Sequence, residues 1–128
     1  QRTDNLAAAA SVVSGRDALS RDDGEAAIAL LSGAVEAAPN FAEAWNKRAT
    51  AYYLLGEYER SIDDIRRTLA LEPRHFGALS GLGLIFDALG EERNALAAYR
   101  AALAINPHLA AAKIRVAALE RSVEGRPL

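Results

Sequence analysis

Apolar residues recur three, four or seven positions apart along much of this chain. Trp45, Ala49 and Tyr52 form one such face, and Ile62, Ile65 and Leu69 another. That is the period of one side of an α-helix. The pattern predicts seven helices, over about 6–20, 23–38, 41–55, 58–71, 75–89, 92–105 and 109–122. Gly56 and Gly90 interrupt it between helices, and Asp22-Asp23-Gly24 does the same near the N-terminus, so that the turn glycine there reads as displaced to Gly24. Pro39, Pro73 and Pro107 fall just past helix ends, where no further ladder donor is needed. Asn40, with Glu43 three residues later, reads as a capping box, and the Asp22–Asp23 pair caps a helix start.

Those three prolines are 34 residues apart, twice. Aligned on that period, the chain gives columns that agree in size. Gly15, Ala49, Gly83 and Ala117 are small, as are Ala27, Ser61 and Ala95. Leu31, Ile65 and Tyr99 are large, as are Val35, Leu69 and Leu103, and Ile28, Ile62 and Leu96. Ala18, Tyr52 and Phe86 hold a knob in the last two copies. The unit is helix, short turn, helix and proline-marked turn. It repeats over about 8–41, 42–75 and 76–109, within one domain spanning 1–128. The seventh helix is unpaired. Lys113, Arg115, Glu120 and Arg121 beside Ile114, Val116 and Leu119 mark it as a solvating cap, which a stacked array needs at an open end. Residues 123–128 are expected to fray.

Composition narrows the class. Half the residues are hydrophobic, and many are alanine, which favours closely packed helices over sheets. The net charge is −2 with both signs interspersed, unlike the basic stripe of a nucleic-acid binder. There is no cysteine, so disulfides and thiolate metal sites are excluded. No apolar run approaches the roughly 18 residues of a membrane span. Methionine is absent, so the chain is read as starting downstream of a native initiator, with a signal peptide or longer region upstream of it.

The stretch AEAWNKRATAYYLLGEYERSIDDIRRTLALEP resembles a tetratricopeptide repeat (TPR), through Trp45, Gly56, Tyr58, Ile65 and Pro73 and the small residues Ala49 and Ser61. The likeness extends over 8–109 and is thinnest in the first copy, where Ser11 replaces the aromatic residue and Ser14 the leucine. Alanine and arginine richness resembles bacterial TPR proteins, whether cytoplasmic or periplasmic. The resemblance implies an all-α fold, a right-handed α-solenoid of antiparallel helix–turn–helix repeats. Trp45, Tyr52 and Tyr58 are then knobs filling gaps left by small residues of neighbouring helices.

Candidate chemistry is sparse. No nucleophile, base and orienting group assemble from the sequence, and no cofactor or metal ligand set stands out, so the chain is read as not an enzyme. His75 and His108 neighbour prolines and no carboxylate cluster, and read as surface turn residues. Gly77, Gly81 and Gly83 lie inside one predicted helix, where close packing explains them better than a phosphate loop. Arg60–Thr68, RSIDDIRRT, reads as a solvated outer face rather than a basic recognition patch. One charged pair stands apart. Arg48 occupies the column of Ser14 and Leu82, and Asp64 that of Leu30 and Ala98, so both charges fall in the same copy. A buried charge needs a partner, and many TPRs carry an arginine and an aspartate in these columns. Arg48–Asp64 is therefore expected as a structural ion pair.

In a curved stack, the first helix of each pair lines the inner face. Opposite Trp45, Ala49 and Tyr52 lie Glu43, Asn46, Thr50 and Tyr53. The same columns add Val12, Arg16 and Leu19, then Gly77, Ser80, Leu84 and Asp87, and Ile114 in the cap. This mixed groove suits an extended peptide or a partner helix, with Arg16, Glu43, Asn46, Thr50, Tyr53, Ser80, Leu84 and Asp87 as its binding residues. TPR domains that grip the acidic carboxyl-terminal tails of chaperones use lysines, arginines and asparagines here. This chain has Val12, Arg16, Lys47, Gly77 and Gly81 at those positions, which argues against such a clamp. The leading expectation is a non-catalytic module binding another protein. The alternatives are a self-assembling scaffold, or an interaction domain appended to a larger protein.

Overall fold

The computed structural model describes residues 2–125. Among them are seven α-helices and no strand: α1 (Arg2–Ser20), α2 (Gly24–Ala37), α3 (Ala42–Leu54), α4 (Tyr58–Leu71), α5 (Phe76–Ala88), α6 (Glu92–Ile105) and α7 (Ala110–Glu124). This is the all-α class, built of helix–turn–helix pairs. Six helices keep the expected bounds within two residues. α1 starts four residues early, because the polar N-terminal stretch carries no apolar period to mark it. α7 runs on to Glu124 and buries Val123, so that part of the expected frayed tail is helical; positions 126–128 lie outside the described residues.

The chain divides into two compact units, 1–73 and 74–128. In the first, α1 packs on α2, α3 on α4, and α3 also on α1 and α2. Its core is Leu31 and Val35 among Ala8, Ala18, Ala27 and Ala34, covered by Phe41 and Trp45. In the second, α6 packs on both α5 and α7. Its core joins Leu96, Tyr99 and Leu119, with Phe86, Leu103, Leu109 and Val116 packed around it.

The repeat columns are now physical pairs. A Cβ on Gly15 would lie 2.8 Å from Leu31 Cγ, and one on Gly83 would lie 2.7 Å from the Tyr99 ring. The small column therefore exists to admit the large residue sixteen positions later. In the middle copy Ser61 Oγ donates to the Ala49 carbonyl at 2.6 Å, fixing the same close approach by a buried hydrogen bond.

Turns and caps bring three corrections. Gly56 and Gly90 adopt left-handed φ values of +76° and +73°, and Asp22, 34 residues before Gly56, adopts +60°. The first turn thus keeps the register of the others, and its glycine is replaced rather than displaced. Gly24 has another duty: it opens α2, where a Cβ would meet Leu55 Cδ2 at 3.0 Å. Asn40 does not cap α3. The N-cap is Phe41, with no side-chain bond, so Asn40 lies one residue too early. Glu43 instead faces Lys47 at 3.8 Å. Asp23 caps α2, its Oδ1 accepting from Ala26 N at 3.1 Å. His75, expected as a plain turn residue, caps α5, its Nδ1 accepting from Ala78 N at 3.0 Å.

Candidate functional site

In the first unit, polar geometry converges on Arg48. Its Nε and Nη2 donate to the two carboxylate oxygens of Asp64, each at 2.8 Å, and its Nη1 donates to Ser32 Oγ at 3.2 Å. One guanidinium thus ties α3 to α4 and to α2. The side chains are only 18% and 4% exposed. The hydrogen bond to Asp64 holds the arginine pKa above its ordinary value, against the opposing pull of burial. The guanidinium also lies over the Trp45 ring at 5.2 Å and the Tyr52 ring at 5.6 Å. The Ser32 contact had no sequence signal beyond a hydroxyl in α2.

The aromatic knobs are half-buried rather than fully buried. Trp45 Nε1 donates to the Pro39 carbonyl at 2.8 Å, and the Arg67 guanidinium also lies over its ring at 5.3 Å. An indole whose N–H is bonded can sit at the core edge without an orphaned donor. On α4, Arg60, Asp63, Arg66 and Arg67 are exposed, as a solvated outer face requires.

The groove positions of this unit divide. Thr50 is exposed and Asn46 half-exposed, and Thr50 Oγ1 bonds back to the Asn46 carbonyl at 3.2 Å. Arg16 is exposed. Glu43 is engaged by Lys47, and the Tyr53 ring packs against Tyr58 with centroids 5.8 Å apart. Val12, placed on the groove by its column, is instead in the core at 8% exposure, and Leu19 packs against that core.

In the second unit, α5, α6 and α7 surround an open cavity of about 380 Å³, lined by Ser80, Leu84, Tyr99, Leu109, Ala112 and Arg115 among others. Its wall is mainly carbon. Leu84 stands at 44% exposure. Ser80 Oγ is buried with no hydrogen-bond partner. Asp87, expected as a free groove residue, is bound by Arg115, whose Nε and Nη2 donate to its two oxygens at 2.7 and 2.9 Å. That bond holds the Arg115 pKa above its ordinary value. Arg115, expected on the solvating face of the cap, faces Asp87 instead. The missed signal was an aspartate 28 positions earlier, a separation no helix-face rule connects. On the far side, Arg100 reaches Glu120 at 2.6 Å and Glu124 at 3.3 Å, pinning α6 to α7.

Among the described residues no group of three His, Cys, Asp or Glu is placed to hold a metal, and no helix is long and apolar enough to cross a membrane. Residues 42–75 and 77–109 each match the tetratricopeptide repeat family. A TPR repeat-containing protein of Rhizobium etli is 39% identical over 100 residues, which are 78% of this chain and 49% of that protein. The chain therefore spans about half the length of that relative. The first TPR of Spaghetti (RPAP3) bound to the HSP90 peptide SRMEEVD superposes with a TM-score of 0.88 at 20% identity, covering 94% of this chain and 95% of that one. The TPR domain of Arabidopsis OM64 does so at 0.90 and 19% identity, covering 94% and 99%. With a 34-residue period in the sequence, helix pairs locked small-against-large in the structure, and repeat matches over both units, the chain belongs to the tetratricopeptide repeat family.

Proposed function

We propose that this chain is a non-catalytic interaction module that binds a peptide or helix of another protein on the first-helix sides of its repeats. The observation that carries this is the open, mainly apolar cavity of the second unit, with Leu84 exposed at its mouth. A concave, carbon-lined site with a few polar groups is the usual form of a binding pocket. A TPR neighbour of the same fold is seen with a peptide bound, which supports the reading. In the first unit, Asn46, Thr50 and Arg16 remain as polar positions for a bound backbone.

The test is selection of peptides from a random display library on the purified chain, followed by titration. Leu84→Asp, at an exposed position, should leave the melting curve unchanged and weaken the selected peptides at least tenfold. Failure to enrich any sequence, or full binding by Leu84→Asp, overturns the reading. A second reading, self-association, has one observation in favour: Ile114 on α7 is 69% exposed. Light scattering across a concentration series tests it, and a constant monomer mass removes it.

A further inference from the structure

The cavity of the second unit has a counterpart in the first, and the two differ in a telling way. Counting back two periods of 34, Ser80 corresponds to Val12, Leu109 to Phe41, Tyr99 to Leu31 and Ala112 to Ala44. In the first unit, Val12, Leu31 and Ala44 belong to the closed core and Phe41 packs against it. There Val12 is buried in the core, and the open space of about 340 Å³ beside Asn40 and Phe41 is lined by Asn5 instead. In the second unit a serine stands for the valine and a leucine for the phenylalanine, and about 380 Å³ stays open. At the Ser80 position the opening thus follows the loss of the valine side chain, which in the first unit is part of the core.

The polar groups left there narrow the occupant. Ser80 Oγ is buried and unpartnered, which is costly unless something supplies a hydrogen bond. Arg115 and His108 line the same space; the charge of Arg115 is already met by both oxygens of Asp87, and a neutral imidazole adds none, so the wall offers N–H donors and little net charge. A carboxylate gains little from a guanidinium so neutralised. A neutral carbonyl can accept from the serine hydroxyl or from a remaining Arg115 N–H while carbon fills the rest. We infer that the cavity takes one bulky apolar side chain, aromatic or leucine-like, of an uncharged stretch of a partner's chain, with an adjacent backbone carbonyl accepting from Ser80 or Arg115. The inference rests on the reading of the chain as a peptide-binding module and names its anchor.

The probes are blocked single residues: the N-acetyl, N-methylamide forms of phenylalanine, leucine and alanine, and N-acetyl-phenylalanine as the free acid. Each is titrated into the isotope-labelled chain and followed by amide NMR. The expected result is saturable shifts at Ser80, Leu84, Leu109 and Arg115 for the phenylalanine or leucine amide, at least fivefold tighter than for the alanine amide, with no preference for the free acid. Ser80→Val with Leu109→Phe copies residues that the first unit already accommodates, so the variant should fold, with a melting temperature equal or higher, and should lose those shifts. Unsaturable or scattered shifts, shifts that survive in the double variant, or a preference for the free acid would each overturn the inference. Display-selected peptides separate it from the broader reading. If they still bind the double variant but not Leu84→Asp, the module binds peptides and the anchor assignment is wrong. If no peptide is enriched and no probe binds, both fall.

Discussion

Arg48 shows how far a single column can be read, and where reading stops. Two charges absent from the same columns of the other copies implied that they meet, and they do so across α3 and α4. The direction of the energetic asymmetry comes only from burial. Arg48→Leu leaves a nearly inaccessible carboxylate alone and should cost about 3–5 kcal/mol. Asp64→Ala leaves an arginine that keeps Ser32 and part of its exposure, so its cost should be nearer about 1–3 kcal/mol. The double variant carries the pair that the third copy uses, Leu82 and Ala98, and should be more stable than Arg48→Leu alone. Chemical denaturation of the four proteins gives the coupling term, and strictly additive costs would mean that the pair contributes nothing jointly. Asp22 is the opposite case. Its column partners are glycines, yet residue type alone did not reveal that the left-handed turn persists there. Asp22→Gly removes a non-glycine residue from that region and should stabilise the chain by about 1 kcal/mol, while Gly56→Ala should destabilise it by a similar amount. A lower melting temperature for Asp22→Gly would show that the aspartate side chain earns its place in the turn.

At the scale of the helix, the apolar period fixed which faces meet, because a period of three and four is a geometric statement about one side of a cylinder. It could not say how near two helices come. That distance is set by glycines whose reasons differ and whose letters are alike. Gly83 lies under the Tyr99 ring, whereas Gly33, also within a helix, has no atom within 4 Å of the place a Cβ would occupy. The two should answer the same substitution with opposite signs. Gly33→Ala should stabilise α2 by about 0.5–1 kcal/mol through lower backbone entropy in the unfolded chain. Gly83→Ala must push a rigid ring out of a packed core and should cost about 1–3 kcal/mol. Thermal melts of the two variants read both signs directly, and equal signs would mean that the Tyr99 ring is not held where it lies. Caps were less legible than faces. Asn40 has the right chemistry one residue too early, and His75 takes a capping role through a ring nitrogen that preference rules seldom assign.

Over the whole molecule, the repeat spacing conveyed the fold class because 34 residues make one helix pair that cannot bury its face alone. It conveyed less about the site, since columns that hold core in one unit line a cavity in the other, with Val12 and Phe41 in the first where Ser80 and Leu109 stand in the second. Charge placement then bears on which tails this chain can hold. Val12, Gly77 and Gly81 stand where an acid-tail clamp needs polar or basic side chains, and Val12 is in the core. Lys47, Arg48 and Arg115 are met by Glu43, Asp64 and Asp87. Arg16, exposed on α1, is the cation left for an acidic tail at these positions, and attraction between exposed charges is the contribution that salt removes. The peptide SRMEEVD seen on the RPAP3 domain is therefore expected to bind this chain weakly, no tighter as its free acid than as its carboxyl-terminal amide, with both forms sharing the shallow salt dependence of one exposed cation. Fluorescence anisotropy with the two labelled forms measures this directly. A salt-sensitive preference for the free acid would require that binding seat the terminal carboxylate on Arg16 or release Arg115 or Lys47 from its own carboxylate, and would transfer the recognition chemistry from the apolar cavity to those cations.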